Sequence, residues 1–149
     1  MLKIVRATEE DIEHVAANLG RRTLEELRIF GYRDVDHIKE NMLSYLESPW
    51  AYALRDGDEP LAFMGGLEIE PGLVTTWLHV TDGLARVGKS ATKMLRWFLA
   101  EQVKAHLELT IEIATASPCP KADTWIGLLG FKPYRAEGDI RYFRPVGSC

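Results

Sequence analysis

Leu73-Val-Thr-Thr-Trp-Leu-His-Val80 runs through Thr81-Asp-Gly-Leu-Ala-Arg-Val87 into Gly88-Lys-Ser-Ala-Thr-Lys-Met-Leu-Arg-Trp-Phe-Leu-Ala100. The first segment is dense in β-branched and aromatic residues and predicts a strand. The second is a loop from Thr81 to Gly88. The third sets Met94, Leu95, Phe98 and Leu99, with Val103 beyond, at helical spacing, and predicts a long helix from Ser90 to about His106. Working backward, Pro71-Gly72 and Asp56-Gly57-Asp58-Glu59-Pro60 are turns that separate strands at Trp50–Arg55 and Leu61–Glu70. Gly65-Gly66 weakens the latter or marks a bulge. Three strands in succession predict an antiparallel meander.

Before the meander, Leu2–Arg6 alternates as a short strand. Thr8 and Asp11 form a capping box with Asp in place of Glu. Ile12, Val15, Ala16 and Leu19 then follow at helical spacing, with Gly20 as the stop. Thr23–Phe30 predicts a second helix closed by Gly31, and Asp34 caps a third that ends at Ser48-Pro49. After the long helix, Leu109–Ala114 is an apolar strand. Ser117-Pro-Cys-Pro120 is a break, Asp123–Leu129 is a short helix closed by Gly130, and Tyr134 and Ile140–Phe143 flank Glu137-Gly138-Asp139 as a final hairpin. Met42, Met94, Trp97 and Phe98 fall in helix stripes and read as core.

The whole is 149 residues with 46% apolar and 27% charged residues, a composition for one folded domain and against disorder. Lys and Arg number 18 against 22 Asp and Glu, a net charge of −4, which gives no overall basic character to favour nucleic acid. Arg21-Arg22 reads as a solvated helix start. Cys119 and Cys149 make neither a disulfide framework nor a zinc spacing, so a cytoplasmic, reducing location and no metal are expected. No apolar run approaches the ~18 residues of a membrane span.

Gly83-Leu-Ala-Arg-Val-Gly88-Lys89-Ser90 matches the P-loop pattern G-x-x-x-x-G-K-[ST] between a strand and a helix. The physics of such a site is general. Glycine lets backbone approach an anion, and the free N–H groups and dipole of a helix start favour negative charge. Val87–Ala91 supplies the N–H groups, and Arg86 or Lys89 the positive charge. A nucleoside triphosphatase also needs an acidic residue ending another strand to hold magnesium, and Leu109–Ala114 ends without one. The chain after Ser90 is also too short for a parallel NTPase sheet. P-loop nucleotide binding is therefore an alternative, behind another phosphate-bearing cofactor at the same helix start.

The element order resembles the GNAT superfamily of acetyl-CoA-dependent N-acyltransferases from Ile4 to about Phe143. Its coenzyme loop, [QR]-x-x-G-x-[GA], corresponds here to Ala85-Arg86-Val87-Gly88-Lys89-Ser90. Gly88 matches, whereas Ala85 and Ser90 depart. Its Tyr-x-x-x-Gly-Phe element corresponds to Ile126-Gly-Leu-Leu-Gly130-Phe131, so Ile126 replaces the tyrosine acid, and Cys119 stands where an Asn often appears. The resemblance implies an α/β (α+β) domain over residues 1–149, with a mixed, mostly antiparallel sheet of about seven strands and helices on both faces. It implies acetyl-CoA or coenzyme A as cofactor, bound by Leu78, His79, Val80, Arg86, Val87, Gly88, Lys89, Ser90 and Ala91, and an unidentified small-molecule or peptide amine as acceptor. Pro60-Leu61-Ala62 with Gly65-Gly66, Trp77-x-x-Val80-Thr81 and Gly88-Lys89-x-Ala91-x-Lys93 are similar to small GNAT-like proteins of short-tailed bacteriophages. That implies virion partners and a catalytically weak or silent alternative.

Acyl transfer to an amine needs a polarising N–H and a base. His79, near a strand end, is a candidate base. So is Glu112, mid-strand and opposite in phase to Ile111 and Ile113, where a buried carboxylate would have a raised pKa. Tyr134 could replace the missing tyrosine acid. Cys119 lacks an identifiable histidine partner and reads as a loop thiol. Glu68 and Glu70 alternate with Leu67 and Ile69 as a solvated strand face.

Overall fold

The computed structural model describes residues 1–147; Ser148 and Cys149 lie outside it. The chain forms β1 (Leu2–Arg6), α1 (Glu9–Ala17), α2 (Arg21–Ile29), α3 (Val35–Ser44), β2 (Tyr52–Asp56), β3 (Glu59–Glu70) and β4 (Leu73–Val80). A 3-10 turn (Asp82–Val87) leads into α4 (Gly88–Ala105), then β5 (Thr110–Thr115), α5 (Pro120–Leu128), β6 (Phe131–Glu137) and β7 (Ile140–Pro145). Among the described residues, seven strands lie in the order β1-β2-β3-β4-β5-β7-β6. Every neighbouring pair is antiparallel except β4 and β5.

The predicted sheet and its helices are present, and the differences have local causes. The segment predicted as a loop before the long helix is a 3-10 turn. The short helix begins at Pro120, not Asp123, because proline at a first helical position loses no hydrogen bond. Gly20 does not stop α1; it is the N-cap of α2. Gly65 and Gly66 make no bulge: they pair with Trp77 and Thr76, and the register shift falls further on, between Glu68 and Glu70. Glycine is needed at Gly66 for space, since a Cβ there would come 2.9 Å from that of Trp50. The capping box forms as read, Thr8 and Asp11 each bonding the other's backbone N–H.

Each sheet face is covered. One buries Ile12, Val15, Ile38, Met42 and Phe63 under α1 and α3. The other buries Leu95, Leu99, Ile113, Ile126 and Phe143 under α4 and α5. Two ion clusters tie the layers. Asp11, 2% exposed, accepts two hydrogen bonds from Arg55, at 2.8 and 2.6 Å. Arg141 binds Asp123 and the Ser117 carbonyl, joining the start of α5 to β7. Among the described residues, no helix is long and apolar enough to cross a membrane.

Candidate functional site

The parallel pairing of β4 with β5 stops at Thr76–Ile113, although β4 stays paired with β3 as far as Val80. Beyond that point the strands part. The backbone bond from Thr81 N–H to Leu61 carbonyl, 2.9 Å, sets the phase of the β3–β4 ladder. By alternation, the backbone groups of Leu78 and Val80 face away from β3, into the gap. Val80 carbonyl accepts the N–H of Gly20 at 2.9 Å, and Leu19 bridges Thr81. The start of α2 is thus fastened to the end of β4. Six residues on, about 9 Å along the helix, Glu26 reaches the end of β5. There its Oε1 accepts the Thr115 hydroxyl at 2.9 Å and the Ala116 N–H at 3.0 Å. Helix α2 therefore spans the opening.

Thr75 and Thr76 hold the paired half together. The Thr75 hydroxyl donates to Glu112 Oε1 and the Thr76 hydroxyl to Glu112 carbonyl, both at 2.9 Å. Glu112, 0% exposed, also faces Arg144 at 3.4 Å and Arg135 at 3.6 Å.

The gap leads into a cavity of about 540 Å³. Its inner wall is apolar, formed by Met64, Leu78, Leu95, Leu99, Ile113 and Ile126. Thr115, Ser117, Cys119 and Glu26 supply polar groups. The cavity continues past Val80, Leu84 and Trp125 into an outer cleft along the start of α4. Gly88, Lys89 and Ala91 line this cleft, and among the described residues no side chain caps the helix. A Cβ on Gly88 would meet nothing within 4 Å, so the glycine leaves free space at the mouth. The Trp125 indole N–H donates to Thr92 Oγ1 at 2.9 Å, and the Thr92 hydroxyl donates to the Gly88 carbonyl at 2.7 Å. This relay fixes the ring against the first turn of α4. The outer cleft is basic: Arg21, Arg22, Lys89, Lys93 and Arg96 line it with one carboxylate, Asp82.

Of the residues predicted to bind a cofactor, Leu78, Val80, Gly88, Lys89 and Ala91 line these cavities. The structure does not bring Arg86, Val87 or Ser90 side chains there. Arg86 turns back to Glu59 on β3, and Val87 packs against the α4 core. Gly83–Val87 curls into a helical turn where a P-loop would open around an anion, and one parallel pair is not a parallel NTPase sheet. Nor are the three predicted catalytic side chains at the cavity. His79, 6% exposed, lies on the α1–α3 face stacked on Phe63. Burial lowers its pKa to about 4, so its imidazole is neutral near pH 7. Glu112 is held by two arginines. Tyr134 is 57% exposed, its ring carrying the Arg144 guanidinium 3.5 Å from the centroid.

Glu26 is the carboxylate that sequence reading missed. Desolvation raises its pKa, only partly offset by the Ala116 and Thr115 hydrogen bonds and the charge of Arg141. Its signal was faint: Thr23, Glu26 and Leu27 share one helix face, two of them buried. Arg21-Arg22, read as a solvated helix start, also lines the cleft.

No protein-family model and no curated protein sequence matches this chain. Solved structures do. PH1933 from Pyrococcus horikoshii OT3 superposes with a TM-score of 0.69 at 14% identity over 100% of both chains. An N-acetyltransferase from Staphylococcus aureus Mu50 gives 0.69 at 14% identity, over 97% of each chain. The PaiA N-acetyltransferase of Thermoplasma acidophilum, in complex with coenzyme A, gives 0.67 at 12% identity, covering 97% of this chain and 98% of that one. The chain shares the fold of these three structures, two of them N-acetyltransferases, along nearly its full length.

Proposed function

We propose that this protein is an N-acyltransferase that takes an acetyl group from acetyl-coenzyme A and passes it to an amine, with Glu26 as the base. The observation that carries this reading is the parting of β4 from β5 after Thr76–Ile113, which opens an apolar cavity continuous with the uncapped start of α4. The acetyltransferase fold of its structural neighbours supports it, and one of them was solved with coenzyme A.

The residues fit that coenzyme. An uncharged pantetheine arm matches the apolar inner cavity. The pyrophosphate matches the N–H groups of Gly88–Ala91 and the Lys89 ammonium. When bound, the coenzyme supplies an activated acyl thioester and a thiolate leaving group. The protein does the rest. The Leu78 N–H, facing the gap, donates to an acyl oxygen placed beside it. The apolar wall excludes water, strengthening that hydrogen bond. Glu26 sits across the opening with Oε1 committed to Thr115 and Ala116, and takes the amine proton on Oε2. Desolvation raises its pKa, which makes the carboxylate a stronger base than an exposed glutamate. Ile126, in the cavity wall, offers no proton to a leaving group, so the coenzyme would leave as the thiolate of a thiol with an ordinary pKa of about 8.5.

Purified protein, acetyl-coenzyme A and a panel of primary amines, followed by thiol release and mass spectrometry of the product, test this. Amine-dependent thiol release with a +acetyl product is expected. Ile126 also favours a second reading, a protein that binds the coenzyme without transferring its acyl group. Saturable coenzyme binding with no acetylated product from any amine would select it.

A further inference from the structure

We infer that the outer cleft recognises the 3′-phosphate of coenzyme A through Lys93 and Arg96, so that the protein discriminates the coenzyme from its 3′-dephospho form; this rests on the coenzyme reading above. The pantetheine arm is neutral and the pyrophosphate is met by the α4 start and Lys89. Yet Arg21, Arg22, Lys93 and Arg96 also line the same cleft, against a single acid, Asp82. In a protein of net charge −4 this is a local excess of positive charge facing a cavity. The only further charge on the coenzyme is its 3′-phosphate.

Geometry assigns it to α4. Lys89, Lys93 and Arg96 fall at i, i+4 and i+7, one stripe on one helix face. Lys93 is one turn, about 6 Å, beyond Lys89, comparable to the span of a ribose between its 5′- and 3′-oxygens. Arg96 Nη1 donates to the Leu128 carbonyl at 3.3 Å, which holds the guanidinium across the groove between α4 and α5. Trp125, fixed by Thr92 against the first turn of α4, gives the same groove a flat wall for the adenine. Arg21 is engaged instead with Glu25, at 3.5 Å on its own helix.

Isothermal titration of the purified protein with coenzyme A and with 3′-dephospho-coenzyme A tests the inference without depending on turnover. The wild type is expected to bind coenzyme A roughly tenfold to a hundredfold more tightly, as charge-assisted contacts to a phosphate imply. That ratio should shrink toward one in Lys93→Gln and in Lys93→Gln/Arg96→Gln. Lys93→Gln alone leaves the Arg96–Leu128 contact in place, so a fold defect does not confound it. Equal wild-type affinity for the two ligands overturns the 3′-phosphate assignment and leaves the coenzyme reading standing. No binding of either ligand overturns both.

Discussion

Replacing Glu26 with Gln isolates its charge. Gln keeps an oxygen that can accept the Thr115 hydroxyl and Ala116 N–H, so the bridge from α2 to the end of β5 survives. What disappears is a carboxylate held against desolvation. A carboxyl whose folded pKa is raised adds stability only where it is protonated, and that stability is lost as pH rises through the folded pKa. Above that folded pKa Glu26 therefore costs stability, and Glu26→Gln should there unfold at the same temperature or higher. Catalysis should move the other way. Loss of a general base lowers kcat/KM by about 10²–10⁴-fold, or about 3–5 kcal/mol of barrier. The wild-type profile of kcat/KM should fall on the acid side with an apparent pKa above the ordinary glutamate value, and that limb should vanish in the variant. Thiol release at saturating acetyl-coenzyme A across pH, beside thermal melts of both proteins, supplies the data. Activity within twofold of wild type would refute the assignment. So would a lower melting temperature accompanying the activity loss, because the residue would then be structural.

Glu112→Gln leaves Arg135 and Arg144 without their shared carboxylate; both are partly solvated, so a loss of about 2 kcal/mol is expected, read from urea unfolding. His79 is buried as the neutral imidazole, with its pKa lowered from 6.5 to about 4. Its stabilising effect is full above 6.5 and is lost as pH falls toward 4, about 3 kcal/mol in all. NMR titration should find the ring neutral at pH 5, and His79→Asn should flatten that part of the stability profile. Burial alone would raise the Asp11 pKa, but Arg55 and the Thr8 N–H and hydroxyl outweigh it and lower the value. Asp11 therefore stabilises above the ordinary aspartate range and loses that effect as pH falls through its lowered pKa. Asp11→Asn should cost about 2 kcal/mol at pH 7 and progressively less as pH falls through that lowered pKa, by the same unfolding assay.

Local patterns carried the fold. Leu73–Val80 was legible residue for residue because its β-branched and aromatic side chains suit a pleated surface. Helix α4 was legible because its apolar stripe faces one core. The place of the loop proposed to hold the coenzyme was equally legible, since Gly88 starts a long helix after a strand. Side-chain roles were harder because they turn on non-local facts. With both sheet faces covered, alternation along β4 puts His79 opposite Leu78 and Val80 without saying which face holds the cavity. Glu112 looked like a buried base because its two arginines come from β6 and β7. Glu26 sits in a Leu-Glu-Glu-Leu stretch that reads as ordinary helix surface. Only the docking of α2 from Val80 to Thr115 gives it a buried seat.

The coenzyme site itself is tested most directly by calorimetric titration of coenzyme A into wild type and Gly88→Asp. Gly88 has helical dihedrals, and an added Cβ meets nothing within 4 Å. An aspartate in the first turn of a helix is also favourable, so the variant should fold with undiminished stability. Its carboxylate would occupy the space proposed for the pyrophosphate. Saturable binding by the wild type, lost in Gly88→Asp at unchanged melting temperature, is the expected result. Equal binding by both proteins would contradict the placement of the coenzyme at the start of α4.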